Sequence, residues 1–216
     1  MDYIKLFNVT KKIKGQMVLE GITLTLQKGS IYGLRGANGS GKTMLLRAIL
    51  GLIRLNDGKV EVCGEPILAE KRFPVSTGLL LENPSLVFEF SAYKNLQLIA
   101  ALKEEKITDK ELGALLIKVG LDPKDKRRVK RFSLGMKQKV GLAQALIGNP
   151  ELLILDEPSN GLDEDSVENL KHLLLEAREN GATLILTSHD RSFLEGVCDE
   201  VIEIKSGKLI DKQYEV

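Results

Sequence analysis

Cysteine is nearly absent: Cys63 and Cys198 are the two in 216 residues. They lie far apart and in no metal-ligand spacing. That argues against a disulfide scaffold and a cysteine metal site, and both are expected to be reduced core residues of a cytosolic protein. An excess of either charge is also lacking, with 31 basic residues against 30 acidic ones and a net charge of +1. This balance argues against a nucleic-acid partner drawn by bulk electrostatics. No apolar run approaches the ~18 residues of a membrane-spanning helix, so work at a membrane would need a partner. The start, Met1-Asp2-Tyr3-Ile4-Lys5, has neither a charged n-region nor an apolar h-region, and no signal peptide is expected. Internal repeats and low-complexity segments are missing too. The length suits one large α/β domain with a small inserted subdomain.

What is present centres on Gly36-Ala37-Asn38-Gly39-Ser40-Gly41-Lys42-Thr43. This stretch fits the phosphate-loop pattern GxxxxGK[ST]. The glycines permit positive φ and close approach to a ligand, and successive N–H groups then form an anion nest. Lys42 supplies a cation for the β- and γ-phosphates of a nucleotide, and the Thr43 hydroxyl is placed to ligate Mg²⁺; the loop alone leaves ATPases, GTPases and kinases open. A helix starting near Lys42 and continuing through Met44 turns its positive end to the phosphates. The flanks agree: Ser30–Leu34 reads as a short buried strand and Met44–Leu50 as a helix stopped by Gly51.

Elsewhere the periodicity is that of an α/β protein. Tyr3–Val9, Ile22–Leu26 and Lys59–Cys63 alternate like half-buried strands, and Val75–Leu81 is apolar enough for a buried central one. From Ser91 to about Arg128 the pattern becomes helical, carried by Leu96, Ile99 and Ala100 and then by Leu112, Leu115, Leu116 and Val119, with Gly120 as C-cap. Six of the eight residues Lys124–Arg131 are basic. They read as a solvated helix face or linker, with contact to anionic lipid as the functional alternative. Strands return at Leu152–Leu155 and Thr183–Thr187. Between them a helix faces inward at Val167, Leu170, Leu174 and Ala177, with Asp163, Glu164 and Asp165 in its first turn. Glu200–Ile204 and Lys208–Asp211 form a closing hairpin around Ser206-Gly207.

The apolar strand Leu152–Leu155 ends in Asp156-Glu157. A carboxylate at a strand end beside a phosphate loop holds Mg²⁺, and its neighbour can orient and deprotonate an attacking water. Phe132-Ser133-Leu134-Gly135-Met136-Lys137-Gln138, shortly upstream, resembles the signature segment, usually LSGGQ, of ATP-binding-cassette (ABC) ATPases. The SLGM variant is similar to that of ATPases serving lantibiotic, bacitracin and related ABC-2-type exporters. By the residues alone, Ser133 is a good helix N-cap. Ser159-Asn160-Gly161-Leu162-Asp163 resembles the family's D-loop, and His189 its switch histidine. The likeness spans residues 3 to 212.

The resemblance implies a P-loop NTPase of the ABC cassette type: an α/β fold with a mainly parallel core sheet, an N-terminal antiparallel β-subdomain and an inserted helical subdomain. Residues 1–83 and 132–216 would form the core and its β-subdomain, and 84–131 the helical part. It implies an ATPase serving a separate membrane permease, an exporter by the SLGM likeness, at the cytoplasmic face of the membrane. A soluble ABC ATPase and a nucleotide-gated interaction module are the alternatives. Two cassettes would pair head to tail, as a homodimer or heterodimer. ATP would lie between the phosphate loop of one (Gly36, Asn38, Gly39, Ser40, Gly41, Lys42, Thr43, Met44) and Ser133, Gly135 and Asp163 of the other. Asp156 and Thr43 would ligate Mg²⁺, Glu157 would activate water, and His189 would contact the γ-phosphate. Two positions depart from the family. Ile13 occupies the slot of an adenine-stacking aromatic, with Phe7 as a possible substitute, and Glu82 of Glu82-Asn83-Pro84 stands where a metal-ligating glutamine is usual.

Overall fold

The computed structural model describes residues 1–68, 73–82, 84–103 and 106–210. Asn83 and Asp211, both part of the sequence reading, lie outside the described residues. The chain forms two compact units, Met1–Ser76 with the residues from Thr183 onward, and Thr77–Ala182.

The first unit opens with β1 (Asp2–Ile13) and β2 (Gln16–Gln27). Both run well beyond the expected Tyr3–Val9 and Ile22–Leu26, because they form one long hairpin whose register runs from Asp2↔Gln27 to Ile13↔Gln16. Its turn is Lys14-Gly15, both at positive φ. The two-residue turns at Cys63-Gly64 and Ser206-Gly207 have the same signs, as hairpin twist requires. Next come β3 (Ile31–Arg35), α1 (Lys42–Ile49), β4 (Asp57–Val62) and β5 (Glu65–Pro66).

The second unit contains β6 (Thr77–Leu80), α2 (Ala92–Ala100), α3 (Asp109–Lys118), a 3₁₀ turn at Val129–Arg131, α4 (Leu134–Ala145), β7 (Leu152–Asp156) and α5 (Glu164–Glu179). Thr108 and Glu111 close a reciprocal capping box on α3. Gly120 ends that helix as expected, at φ 76 with Leu121 N–H on the Leu116 carbonyl. The chain then returns to the first unit with β8 (Thr183–Ser188), α6 (Arg191–Glu195), β9 (Glu200–Lys205) and β10 (Lys208–Ile210).

In the first unit, β2-β1-β4-β5 make an antiparallel sheet, while β9, β3 and β8 run parallel with β10 antiparallel on β9. In the second, β6 and β7 pair in parallel. The fold is thus α/β, with mostly parallel strands, an antiparallel sheet and helices. The core of the parallel strands is aliphatic: Ile31 and Leu34 in β3, Leu184 to Leu186 in β8, and Leu152 to Leu155 in β7 are essentially inaccessible.

Three expectations are corrected. Val75–Leu81 is not a buried central strand: β6 is four residues long, terminates its sheet and exposes Leu79. Cys63 is exposed because it sits at the β4–β5 turn, and Cys198 is partly buried. Of the two readings of the run 124–131, helix face or linker, the first is dropped: it is a turn-rich, mostly exposed segment. There Arg127 pairs with Asp125, and Arg128 and Lys130 both pair with Glu89.

Candidate active site

In the first unit, β3 delivers the chain into residues 36–41, and α1 begins at Lys42. The loop is packed without room for side chains at two glycines. A Cβ on Gly36 would sit 2.3 Å from the Ile204 carbonyl oxygen and 2.5 Å from Ser40 Oγ, and one on Gly41 would sit 2.8 Å from the Val18 carbonyl oxygen. Gly41 caps α1 at φ 112, which only glycine adopts without strain. The loop is tied down by Gly207 N–H on the Ser40 carbonyl, while Glu20 N–H reaches the Gly207 carbonyl.

Lys42 is almost fully buried, and its ammonium donates to the carbonyls of Gly36 (2.7 Å) and Ala37 (3.4 Å). The cation is therefore held over the loop. The first turn of α1 contains no acidic residue, so the helix brings no carboxylate of its own to its positive end. Ser40 Oγ is buried without a hydrogen-bond partner. A buried hydroxyl left so costs about 1–3 kcal/mol, and a phosphate oxygen in the loop would satisfy it. These features suit an anion.

His189 belongs to the same end of the sheet. Arg35, which precedes Gly36, pairs with Ser188, which precedes His189, so the parallel register sets loop and histidine side by side. His189 is exposed. Asp190 caps α6, accepting from Ser192 and Phe193 N–H groups and the Ser192 hydroxyl, and the hydroxyl foremost holds its carboxyl below the usual range. Ile13 lies exposed at the tip of β1, and its partner Gln16 is two residues from Val18, whose carbonyl meets Gly41. Phe7 is no substitute for a stacking ring there: it lies six residues, about 20 Å of strand, from Ile13. Its ring instead faces the Lys59 ammonium at 4.8 Å.

In the second unit, β7 is buried throughout and ends at Asp156. Leu80↔Leu155 is the last pair between β6 and β7, so Glu82 and Glu157 each follow two residues beyond it at the carboxyl ends of parallel strands. Ligands of α/β sheets bind at such ends. Glu157 has φ 48 and Glu82 has φ 52. For a residue with a Cβ this conformation costs about 1–2 kcal/mol.

Ser133 caps α4, its hydroxyl accepting from Met136 N–H at 3.2 Å, and this helix end is exposed. A Cβ on Gly135 would lie 2.5 Å from the Gly161 carbonyl oxygen, so the start of α4 rests directly on the Ser159–Asp163 turn. Asp163 caps α5 through Ser166 N–H at 2.9 Å. The Ser166 hydrogen bonds hold its carboxyl low.

The predicted residues thus fall into two sets. Gly36 to Met44, Ile13 and His189 lie in the first unit, and Glu82, Ser133, Gly135, Asp156, Glu157 and Asp163 in the second. One residue was quoted in the sequence without a role. Gln138 is almost fully buried, and its amide donates to the carbonyls of Glu157 (3.1 Å) and Pro158 (3.3 Å). The available signal was a polar residue on the buried α4 face that continues at Leu142 and Ala145.

A phosphate-binding loop between a parallel strand and a helix defines a P-loop nucleotide-binding protein. Residues 19–160 match the family model described as ABC transporter. The chain is 42% identical over 206 residues to an uncharacterized ABC transporter ATP-binding protein, YybJ of Bacillus subtilis, covering 95% of this chain and 94% of that one. It is 35% identical over 213 residues to the lantibiotic transport ATP-binding protein SrtF of Streptococcus pyogenes, covering 98% and 91%. Among solved structures, the dimeric bacterial ABC transporter cassette MJ0796 superposes with a TM-score of 0.87 over 95% of this chain and 96% of that one. At 23% identity it bears on the fold alone. The chain belongs to the ATP-binding subunits of ABC transporters, whose general activity is ATP hydrolysis coupled to transport. Among the described residues, no helix is long and apolar enough to cross a membrane.

Proposed function

We propose that this chain powers a lantibiotic exporter, working from the cytoplasmic face of a separate permease. The likeness to a lantibiotic transport ATPase over nearly the whole chain supports the substrate class. Val87, Phe88 and Phe90 are exposed on the segment before α2. They offer the apolar surface around Glu82 to Tyr93 on which a permease helix would dock.

In this reading the loop amides, Ser40, Lys42 and the start of α1 bind the phosphates of ATP, and Ile13 packs on the base without a π-face. Thr43 and Asp156 are hard oxygen donors of the kind Mg²⁺ takes alongside phosphate oxygens, with Glu82 as a further carboxylate. Among the described residues, no cluster of three or more His, Cys, Asp or Glu side chains could hold a metal. Mg²⁺ would supply charge neutralisation between the phosphates.

Glu157 acts as general base. It takes a proton from water as the water oxygen bonds to the γ-phosphorus and the bond to the ADP oxygen breaks. His189 contacts the γ-phosphate. Ser133 and the Gly135 N–H, at the exposed start of α4, engage the nucleotide of a second cassette, and Asp163 lies at the same face.

The observation that carries the catalytic assignment is Glu157 itself, directly after the buried strand end and fixed through its own carbonyl. Light scattering of Glu157→Gln with Mg-ATP tests it. A dimer formed only with ATP, together with loss of turnover, is the expected result. Near wild-type hydrolysis would overturn the assignment.

A further inference from the structure

We infer that Gln138 is a positioning residue for Glu157, tying the start of α4 to the alignment of the general base. The inference rests on the reading of Glu157 as that base. Gln138 is 3% exposed, and its amide faces two carbonyls, Glu157 O at 3.1 Å and Pro158 O at 3.3 Å. Two acceptors require the NH₂ group there and use both of its protons.

The residue it grips needs holding. Glu157 is in the left-handed region, which residues with a Cβ leave readily unless surrounding contacts enforce it. Asn160 N–H donates to the same Glu157 carbonyl at 3.1 Å. The peptide after Glu157 is therefore fixed by one side-chain donor and one backbone donor. Releasing the first loosens the rotation about the Cα–C bond of Glu157, beside the Cα that carries the carboxylate.

The placement of Gln138 gives the contact its meaning. It lies in the second turn of α4, the helix that begins with Ser133 and with Gly135 against the Gly161 carbonyl. A rigid helix thus carries a nucleotide-facing end and, five residues later, the grip on the catalytic residue. A shift at the first moves the second.

The test compares the purified chain with Gln138→Met, which keeps length and loses the donors, and Gln138→Glu, which turns acceptor oxygens on two carbonyls. Both are expected to lower kcat by about tenfold to a hundredfold, the effect of misplacing a catalytic group by about 1 Å. The KM for ATP and its calorimetric Kd should stay within about threefold. In a Glu157→Gln background, Gln138→Met should lower the residual single-turnover rate no further, because residues that act as one unit are not additive.

A kcat within about twofold of wild type in Gln138→Met overturns the inference. So does an equal further loss in the Glu157→Gln background, or failure of both variants to fold, since each makes Gln138 a packing residue only. Near wild-type turnover by Glu157→Gln alone overturns the general-base reading instead.

Discussion

Replacing Gly36 by alanine probes the phosphate loop through packing alone. The φ of Gly36 is not positive, so the added methyl meets no backbone strain. It meets the Ile204 carbonyl oxygen at 2.3 Å, against a floor of 3.0 Å for real Cβ contacts, and one of the two must yield by at least about 0.7 Å. Neither has much freedom. Arg35 is paired with Ser188 on one side and Glu203 on the other, and Ile204 is paired with Leu209. The loop therefore moves, and its N–H groups lose their aim. Two misdirected charge-assisted hydrogen bonds, at about 1.5–3 kcal/mol each, weaken Mg-ATP binding by roughly a hundredfold or more. Gly39→Ala is the internal control. Gly39 has φ 80 and open space around its Cβ, so only strain of about 1–2 kcal/mol applies, worth roughly 5- to 30-fold if all of it reaches binding. Isothermal titration calorimetry on both variants, with melting curves to verify folding, measures the order. If Gly36→Ala binds within tenfold of wild type, or better than Gly39→Ala, the loop is not packed as described and the reasoning fails.

Three further outcomes follow from the geometry. Gly135→Ala pushes α4 off the Gly161 carbonyl, 2.5 Å from the new methyl. Steady-state ATPase should fall at least about tenfold while calorimetric ATP affinity stays near wild type, and equal loss of both would contradict the division of roles. Cys198 has its thiol pushed up to about 12 by burial, whereas Cys63 is exposed. Alkylation at pH 8, followed by peptide mass spectrometry, should modify Cys63 at least about a hundredfold faster, and comparable rates would refute the burial argument. Asp190 has its carboxyl lowered, first by the Ser192 hydroxyl, so its contribution to stability is present above the ordinary carboxylate pKa and lost as pH falls through the depressed folded value. Urea unfolding should show the advantage of wild type over Asp190→Asn shrinking below about pH 4, and a constant difference would count against the cap.

The chemistry of this protein is written locally. Residues 36–43 carry their glycines, lysine and threonine in one run, and Ile31–Arg35 and Lys42–Ile49 flank them as strand and helix, as their patterns demand. The end of a buried strand at Asp156, the cap at Ser133 and the turn before Asp163 were legible for the same reason: each depends on residues within one turn of the chain. Element lengths were less so. β1 and β2 outrun their alternation because each stabilises the other across the Lys14-Gly15 turn, and β6 is short and partly exposed because it ends its sheet.

What only tertiary structure decided are meetings between distant residues. Gly36 needs to be glycine because Ile204 lies against it, and Gly135 because Gly161 does. His189 reaches the loop's end of the sheet through the pairing of Arg35 with Ser188. Gln138 acquires a role only once α4 packs its buried face where the carbonyls of Glu157 and Pro158 emerge. Local sequence sets φ preferences, caps and apolar period. Which carbonyl stands behind a glycine, or in front of a buried amide, depends on register and packing summed over the whole chain.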